Sequence, residues 1–233
     1  MLKKRIIAQL NYSQGELTRT KQFVPDYGYT INFLEMGAFD EVIIINLDRE
    51  PTDTKFVDFC EKVMDQAMVP CTIGGGVASV EHATELVRGV GADKVVLSTY
   101  AEPDLLDAIA EKLGSQSVVA CVDAINFAAI EHKDRVLRAN GAGAGEIMLN
   151  SILLDGSLRG FDLDAVEWVS DRIDKPLTVA GGCGNWQHIG EAFTAGADGV
   201  VTSNIHHLTK RAALSARQWL RDRGYPVRDL PEE

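Results

Sequence analysis

Short runs of valine, isoleucine and leucine recur along the chain. Each is followed by a polar or glycine-containing loop and then by a stretch in which apolar residues return every three to four positions. The alternation predicts repeated strand and helix units. The runs fall at 5–10, 41–47, 71–74, 94–98, 117–123, 146–150, 177–181 and 199–203, and the helical stretches include 54–68, 79–89, 103–113, 162–173, 186–195 and 206–222. Pro103 and Asp104 suit the first turn of the third of these helices. Strands that are apolar throughout are buried on both faces, as in a parallel sheet. Eight of them in 233 residues close more readily than they lie open, so one (βα)8 barrel is expected over residues 1–233.

The chain also resembles itself at an offset near 105 residues. PCTIGGGVASVEHATELVRGVGADKVVLST at 70–99 parallels PLTVAGGCGNWQHIGEAFTAGADGVVTSN at 176–204, and FDEVIIIN at 39–46 parallels GEIMLN at 145–150. The barrel is therefore read as two (βα)4 halves.

In such barrels chemistry sits at the C-terminal strand ends. Gly75 and Gly76 follow the third strand and Gly181 and Gly182 the seventh; lacking Cβ atoms, they let backbone N–H groups approach an anion. Ser98 and Thr99 follow the fourth strand and Ser203 and Asn204 the eighth, each pair just ahead of a predicted helix N-terminus. Two phosphate sites facing each other across the mouth are expected, with Gly156 in the Asp155-Gly156-Ser157 turn as a further element. Asp123 ends the fifth strand, where partial desolvation suits a carboxylate to acid or base work. Asn11 ends the first strand and has no titratable proton, so strands one and five do not supply two carboxylates.

Composition narrows the partners. A formal charge of −11 with no cluster of Lys or Arg argues against nucleic acid or an anionic membrane as the main partner. No run approaches a membrane span and none resembles a secretory leader, so a cytoplasmic protein is expected. Cys60, Cys71, Cys121 and Cys183 lie far apart, without metal-ligand spacing, and are read as reduced, mostly buried thiols; no metal and no cofactor is expected. His206 and His207 are placed at the start of the last helix, and Trp168, Trp186 and Trp219 on helix faces that pack.

The segments KKRIIAQLNYSQGELTRTKQF, GSQSVVACVDA, GAGEIMLNSILLDGSLRGFD and AGGCG with EAFTAGADGVVTSN together resemble the cyclase subunit of imidazole glycerol phosphate synthase, the HisF family, over nearly the whole chain. The resemblance implies a barrel that receives ammonia through its interior from a class I glutamine amidotransferase subunit of the HisH type. It uses that ammonia to split and cyclise a bis-phosphorylated ribulosyl-formimino nucleotide. It also implies a charged gate at the barrel bottom, matched by Arg5, Glu41, Lys94 and Glu146, and a partner interface near Asp93 and Gln116. These four charges begin strands one, two, four and six, which also puts them on one face; an ion-paired plug would use the same residues.

The mouth departs from that pattern. Asn11 stands in place of a catalytic aspartate, Asn46 in place of a second aspartate and Arg19 in place of a lysine, while Asp123 matches. The stretch between Asp123 and Glu146 is shorter than the family pattern by about one hairpin. The expected function is a HisF-like barrel that uses channelled ammonia on a phosphorylated sugar-type substrate, in sugar amidation or amidination if not in histidine biosynthesis. A non-catalytic, glutaminase-activating ammonia channel is the alternative. A related aminoimidazole ribonucleotide isomerase shares the half-barrel repeat, but it wants two acidic strand ends and needs no gate.

Overall fold

A computed structural model of the chain describes residues 3–30, 36–208 and 211–229. Eight parallel strands close on themselves: β1 (Arg5–Ser13), β4 (Glu41–Asn46), β5 (Cys71–Gly74), β6 (Lys94–Leu97), β7 (Val118–Ala124), β8 (Glu146–Ser151), β9 (Leu177–Ala180) and β10 (Gly199–Thr202). Closure runs through β10 and β1, where Ile6 faces Val200 and Ile7 faces Val201. Alternate strand residues point inward, and Ile7, Ile43, Val96, Val119, Cys121, Met148, Ala180 and Val201 fill the barrel interior. Their neighbours in sequence form the larger outer core beneath the helices.

The helices are α1 (Thr54–Ala67), α2 (Val80–Thr84), α3 (Pro103–Leu113), α4 (Ile130–Gly141), α5 (Leu163–Ser170), α6 (Trp186–Thr194) and α7 (Ala212–Asp222). Side-chain caps begin several of them. Ser79 accepts from the His82 N–H and Asn185 from the His188 N–H, at equivalent places in the two halves. The segment expected as one helix at 79–89 is α2 continued by π-helical turns over 85–90.

Two expectations need correction, and one element went unread. The connection after β1 is an antiparallel hairpin, β2 (Glu16–Lys21) with β3 (Val24–Tyr29), and the described part of this crossover holds no α-helix, only a 3-10 turn at 36–38. His206 and His207 lie on a 3-10 turn at 204–207, where His206 Nε2 meets the Thr202 hydroxyl and Asn204 Nδ2 donates to the Thr20 carbonyl of the hairpin, and the last helix starts at Ala212. Helix α4, unread in the sequence, carries the crossover from β7 to β8.

The opposite, N-terminal end of the barrel is fastened by a repeated clamp. Asp40 accepts from the Ile6 N–H (2.8 Å), Asp93 from the Cys71 N–H (2.8 Å) and Asp198 from the Leu177 N–H (3.1 Å). In each case the aspartate's own N–H donates to the carbonyl of the same residue. Arg217, at 1% exposure, closes the first clamp with a 2.9 Å ion pair to Asp40. Among the described residues no helix is long and apolar enough to cross a membrane.

Candidate active site

The glycine rims form where two strand-end loops touch. Gly75 and Gly76 have φ of +99° and +93°, and Gly181 and Gly182 have +91° and +106°, a conformation that side chains rarely adopt. A Cβ on Gly75 would meet the Asn46 carbonyl at 2.1 Å, and one on Gly181 the Ser151 carbonyl at 2.3 Å. Gly76 and Gly182 meet the Arg49 and Gly160 carbonyls in the same manner. The duplication read in the sequence is thus a duplication of backbone contact.

Above the barrel interior the mouth holds two unequal hollows. The larger, about 1020 Å³, takes in Asn46, Arg49, Gly75, Gly76, Ser98, Thr99 and Asp123. The smaller, about 340 Å³, takes in Asp155, Gly156, Gly181, Gly182, Ser203 and Asn204. Each expected phosphate group of residues therefore lines its own hollow. Gln9, Phe23 and Asn150 border both.

Asp123 is held from three sides: Ser98 Oγ donates to Oδ2 in a short contact, Asn150 Nδ2 donates to Oδ1 at 2.6 Å, and Cys121 Sγ lies 3.7 Å from Oδ1. Arg135 of α4 braces the loop through the Ser98 carbonyl at 2.8 Å. Burial pushes the Cys121 thiol well above its ordinary pKa, so it is a neutral wall of the hollow and not a nucleophile.

Asn11 is elsewhere. It has 0% exposure, sealed beneath the hairpin, where it accepts from Gln9 Nε2 (2.9 Å) and donates to Thr20 Oγ1 (3.1 Å). Thr20 in turn donates to Asp155 Oδ2 at 2.8 Å, and the Phe23 N–H donates to the same oxygen at 3.0 Å. Burial raises the pKa of Asp155 despite these donors and the nearby charge of Arg19. Arg19 itself donates to Asn204 Oδ1 (2.6 Å), tying the hairpin to the second rim. His207 Nδ1 lies 3.0 Å from the Tyr27 hydroxyl; burial, then the Arg19 charge, lowers its pKa to about 4, so it is neutral at pH 7. Asn46 bridges the Asp48 N–H and the Glu50 carbonyl and so shapes its own loop.

At the barrel's other end the four expected charges meet. Arg5 donates to Glu41 (2.6 Å) and Glu146 (2.7 Å), and Lys94 donates to Glu41 (3.0 Å) and Glu146 (2.9 Å), giving a closed ring of alternating sign. Thr178 adds a short hydrogen bond to Glu146. Burial would raise the Glu146 pKa, but Arg5, Lys94 and Thr178 outweigh it and hold the value at about 2. Asp93 and Gln116 sit exposed at the starts of β6 and β7, on this same end.

The sequence profile of the histidine biosynthesis protein family matches residues 9–211. The chain belongs to that family. It is 32% identical to the imidazole glycerol phosphate synthase subunit HisF of Thermococcus gammatolerans, covering 98% of this chain and 99% of that one. With the subunit of the same name from Chlorobium luteolum the identity is 34%, over 98% and 100% of the two chains. The match with these relatives runs over nearly the whole length of both chains.

Gln9, Thr20 and Phe23 escaped the sequence reading, and Asp155 entered it only as part of a turn. Gln9 is a polar residue at an inward strand position, a signal visible once the inward register of β1 is fixed. Among the described residues no group of three His, Cys, Asp or Glu side chains could hold a metal ion.

Proposed function

We propose that this chain is a HisF-like synthase subunit that takes ammonia from a HisH-like class I glutamine amidotransferase through the barrel and uses it at the mouth on a phosphorylated small molecule. The observation that carries the reading is the ring of Arg5, Glu41, Lys94 and Glu146 at the end of the barrel opposite the two hollows. Taking isolated ions out of water costs several kcal/mol each, and apolar side chains fill a barrel end without that cost. A neutral ring whose members can exchange partners is suited to a gate over a passage. The partner then docks on the N-terminal face, around Asp93 and Gln116.

The duplicated rims support two bound oxyanions, one at Gly75, Gly76, Ser98 and Thr99, the other at Gly156, Gly181, Gly182, Ser203 and Asn204. Asp123 is the proton-transfer group facing the larger hollow. The replacement of aspartates by Asn11 and Asn46 favours a substrate other than the histidine-pathway nucleotide, and the amide and hydroxyl lining of Gln9, Asn46, Ser98, Thr99 and Asn150 suits a sugar-type molecule undergoing amidation or amidination.

Co-expression with the cognate glutaminase should give a 1:1 complex in which the barrel raises glutamine hydrolysis. Given ammonia and the histidine-pathway nucleotide, the purified barrel should turn over very slowly. A glutaminase that neither co-purifies nor responds to the barrel leaves the ring a structural plug, and near-normal turnover of the nucleotide removes the case for another substrate.

A further inference from the structure

Below the mouth the barrel interior is walled by apolar side chains, and those nearest the mouth form the floors of both hollows. Val96, Cys121 and Met148 lie under the larger hollow, and Ala180 and Val201 under the smaller. Gln9 lines both. It follows the inward-facing Ile7 by two residues on β1 and so faces inward as well, and at 6% exposure it is a buried amide among apolar neighbours.

A chain of hydrogen bonds fixes which way that amide points. Asp155 Oδ2 accepts from the Phe23 N–H at 3.0 Å, which makes this oxygen an acceptor, and Thr20 donates its one hydroxyl hydrogen to it at 2.8 Å. The Thr20 oxygen must then accept from Asn11 Nδ2 at 3.1 Å, which turns Asn11 Oδ1 toward Gln9. Gln9 Nε2 donates to that oxygen at 2.9 Å. Gln9 Oε1 is the atom left over. It has no partner among the hydrogen bonds of the described residues, and it is not one of their sealed-off, unpartnered polar atoms, so it opens on the hollows that Gln9 lines. An acceptor standing in an apolar floor calls for a donor from the space above or below it.

We propose that Gln9 Oε1 receives ammonia at the head of the barrel interior and holds it for attack at the mouth. The inference rests on the ammonia-using reading above and names the residue that positions the nucleophile. Neutral ammonia in the apolar interior lacks hydrogen-bond partners, and a carbonyl oxygen supplies one by accepting an N–H. That leaves the nitrogen lone pair free, whereas a donor group in the same place would bind the lone pair and quench the nucleophile. The relay from Asp155 through Thr20 and Asn11 thus has a consequence for chemistry: it makes Gln9 present its oxygen and not its NH2. No covalent bond forms or breaks at Gln9. Because Gln9 lies where the two hollows meet, ammonia held there sits between the two oxyanion rims, level with the middle of a substrate that carries an anionic group at each end.

The test has two arms, and the first needs no substrate. Wild-type chain labelled with carbon-13 glutamine, its Gln9 Cδ resonance assigned through the Gln9 backbone, is titrated at alkaline pH with ammonium chloride and, in parallel, with potassium chloride at the same ionic strength. The Gln9 Cδ resonance should move saturably with ammonia and stay still in potassium chloride. No movement, or the same movement in both salts, overturns the proposal whether or not any variant folds.

The second arm follows turnover of the histidine-pathway bis-phosphorylated nucleotide by wild type and Gln9→Leu as ammonium chloride is varied. The variant should need about fivefold more ammonium for half-maximal rate, the worth of one net hydrogen bond, with its half-saturating nucleotide concentration within twofold of wild type. An ammonium requirement within twofold of wild type overturns the proposal. So does an equal loss toward the nucleotide, which is what a purely structural role for Gln9 would give. A wild type that gives no product defeats the reading of the mouth for this nucleotide, and the NMR titration still decides Gln9.

Discussion

Replacing Glu146 with glutamine removes one of two negative charges from a ring that also holds Arg5 and Lys94. The structure sets the order of magnitude of the effect. Glu146 is largely buried, accepts from Arg5 at 2.7 Å and Lys94 at 2.9 Å, and has its pKa drawn from 4.5 to about 2. At 1.36 kcal/mol per pKa unit this corresponds to about 3 kcal/mol, close to the range for breaking a buried ion pair. The sign follows from linkage: a carboxyl whose folded pKa is depressed contributes its full stability above the unfolded value and loses it as pH falls toward the folded one. Urea unfolding of wild type and Glu146→Gln should therefore differ by about 3 kcal/mol at pH 7, with the gap falling to about half near pH 3. A gap that stays constant from pH 7 to pH 3, or one under about 0.5 kcal/mol at pH 7, refutes the account of a tightly paired ring.

Gly182→Ala forces a Cβ to within 2.0 Å of the Gly160 carbonyl at a φ of +106°, so it should lower stability by at least about 2 kcal/mol; Gly141→Ala in α4, with nothing within 4 Å, should be neutral or stabilising in the same thermal melts. Asp93→Ala removes the acceptor of the Cys71 N–H, and urea titration should show a loss of about 1 kcal/mol; in the complex it should also weaken stimulation of the glutaminase. Asn11→Asp puts a carboxyl at a site with 0% exposure, linked through Thr20 to Asp155, so its pKa should rise and the variant's stability deficit should grow as pH is raised from 4 to 7. A deficit independent of pH would mean that the new carboxyl reaches water.

The barrel strands were legible because each centres on a short, mostly apolar run bounded by polar loops, and the two-half repeat located both rims before any geometry was known. The hairpin was not legible. Its residues, ELTRTKQFVPDYGY at 16–29, carry Pro25 and Gly28, and nearly all of β3 is exposed, so no apolar alternation marks it. Its turn places Gln22 and Phe23 at φ of +53° and +61° without glycine, which removes the usual turn signal. Helix α4 escaped for a similar reason: of its twelve residues only Val136 and Ala139 are buried. The site was half legible. Strand-end residues follow from the barrel's geometry, but the chain from Asn11 through Thr20 to Asp155 has a step, Thr20 to Asp155, that joins positions 135 residues apart, and only closure of the fold brings them together.

The aspartate clamps carry a message about how such a chain is put together. They stand at positions 40, 93 and 198, and position 145, where the series calls for a fourth, is Gly145, whose N–H makes the same bond to Val118 and whose Cβ would strike the Ser115 carbonyl at 2.3 Å. The intervals are 53, 52 and 53 residues, half the wavelength of the more visible duplication. The smallest recurring part is thus a pair of strands with their helices, pinned at one tip and loose at the other. Four copies joined by their pinned tips make a rigid base, and their loose tips can change residue by residue without disturbing it. Residues at the mouth that touch none of these clamps can then change while the pinned base keeps its contacts.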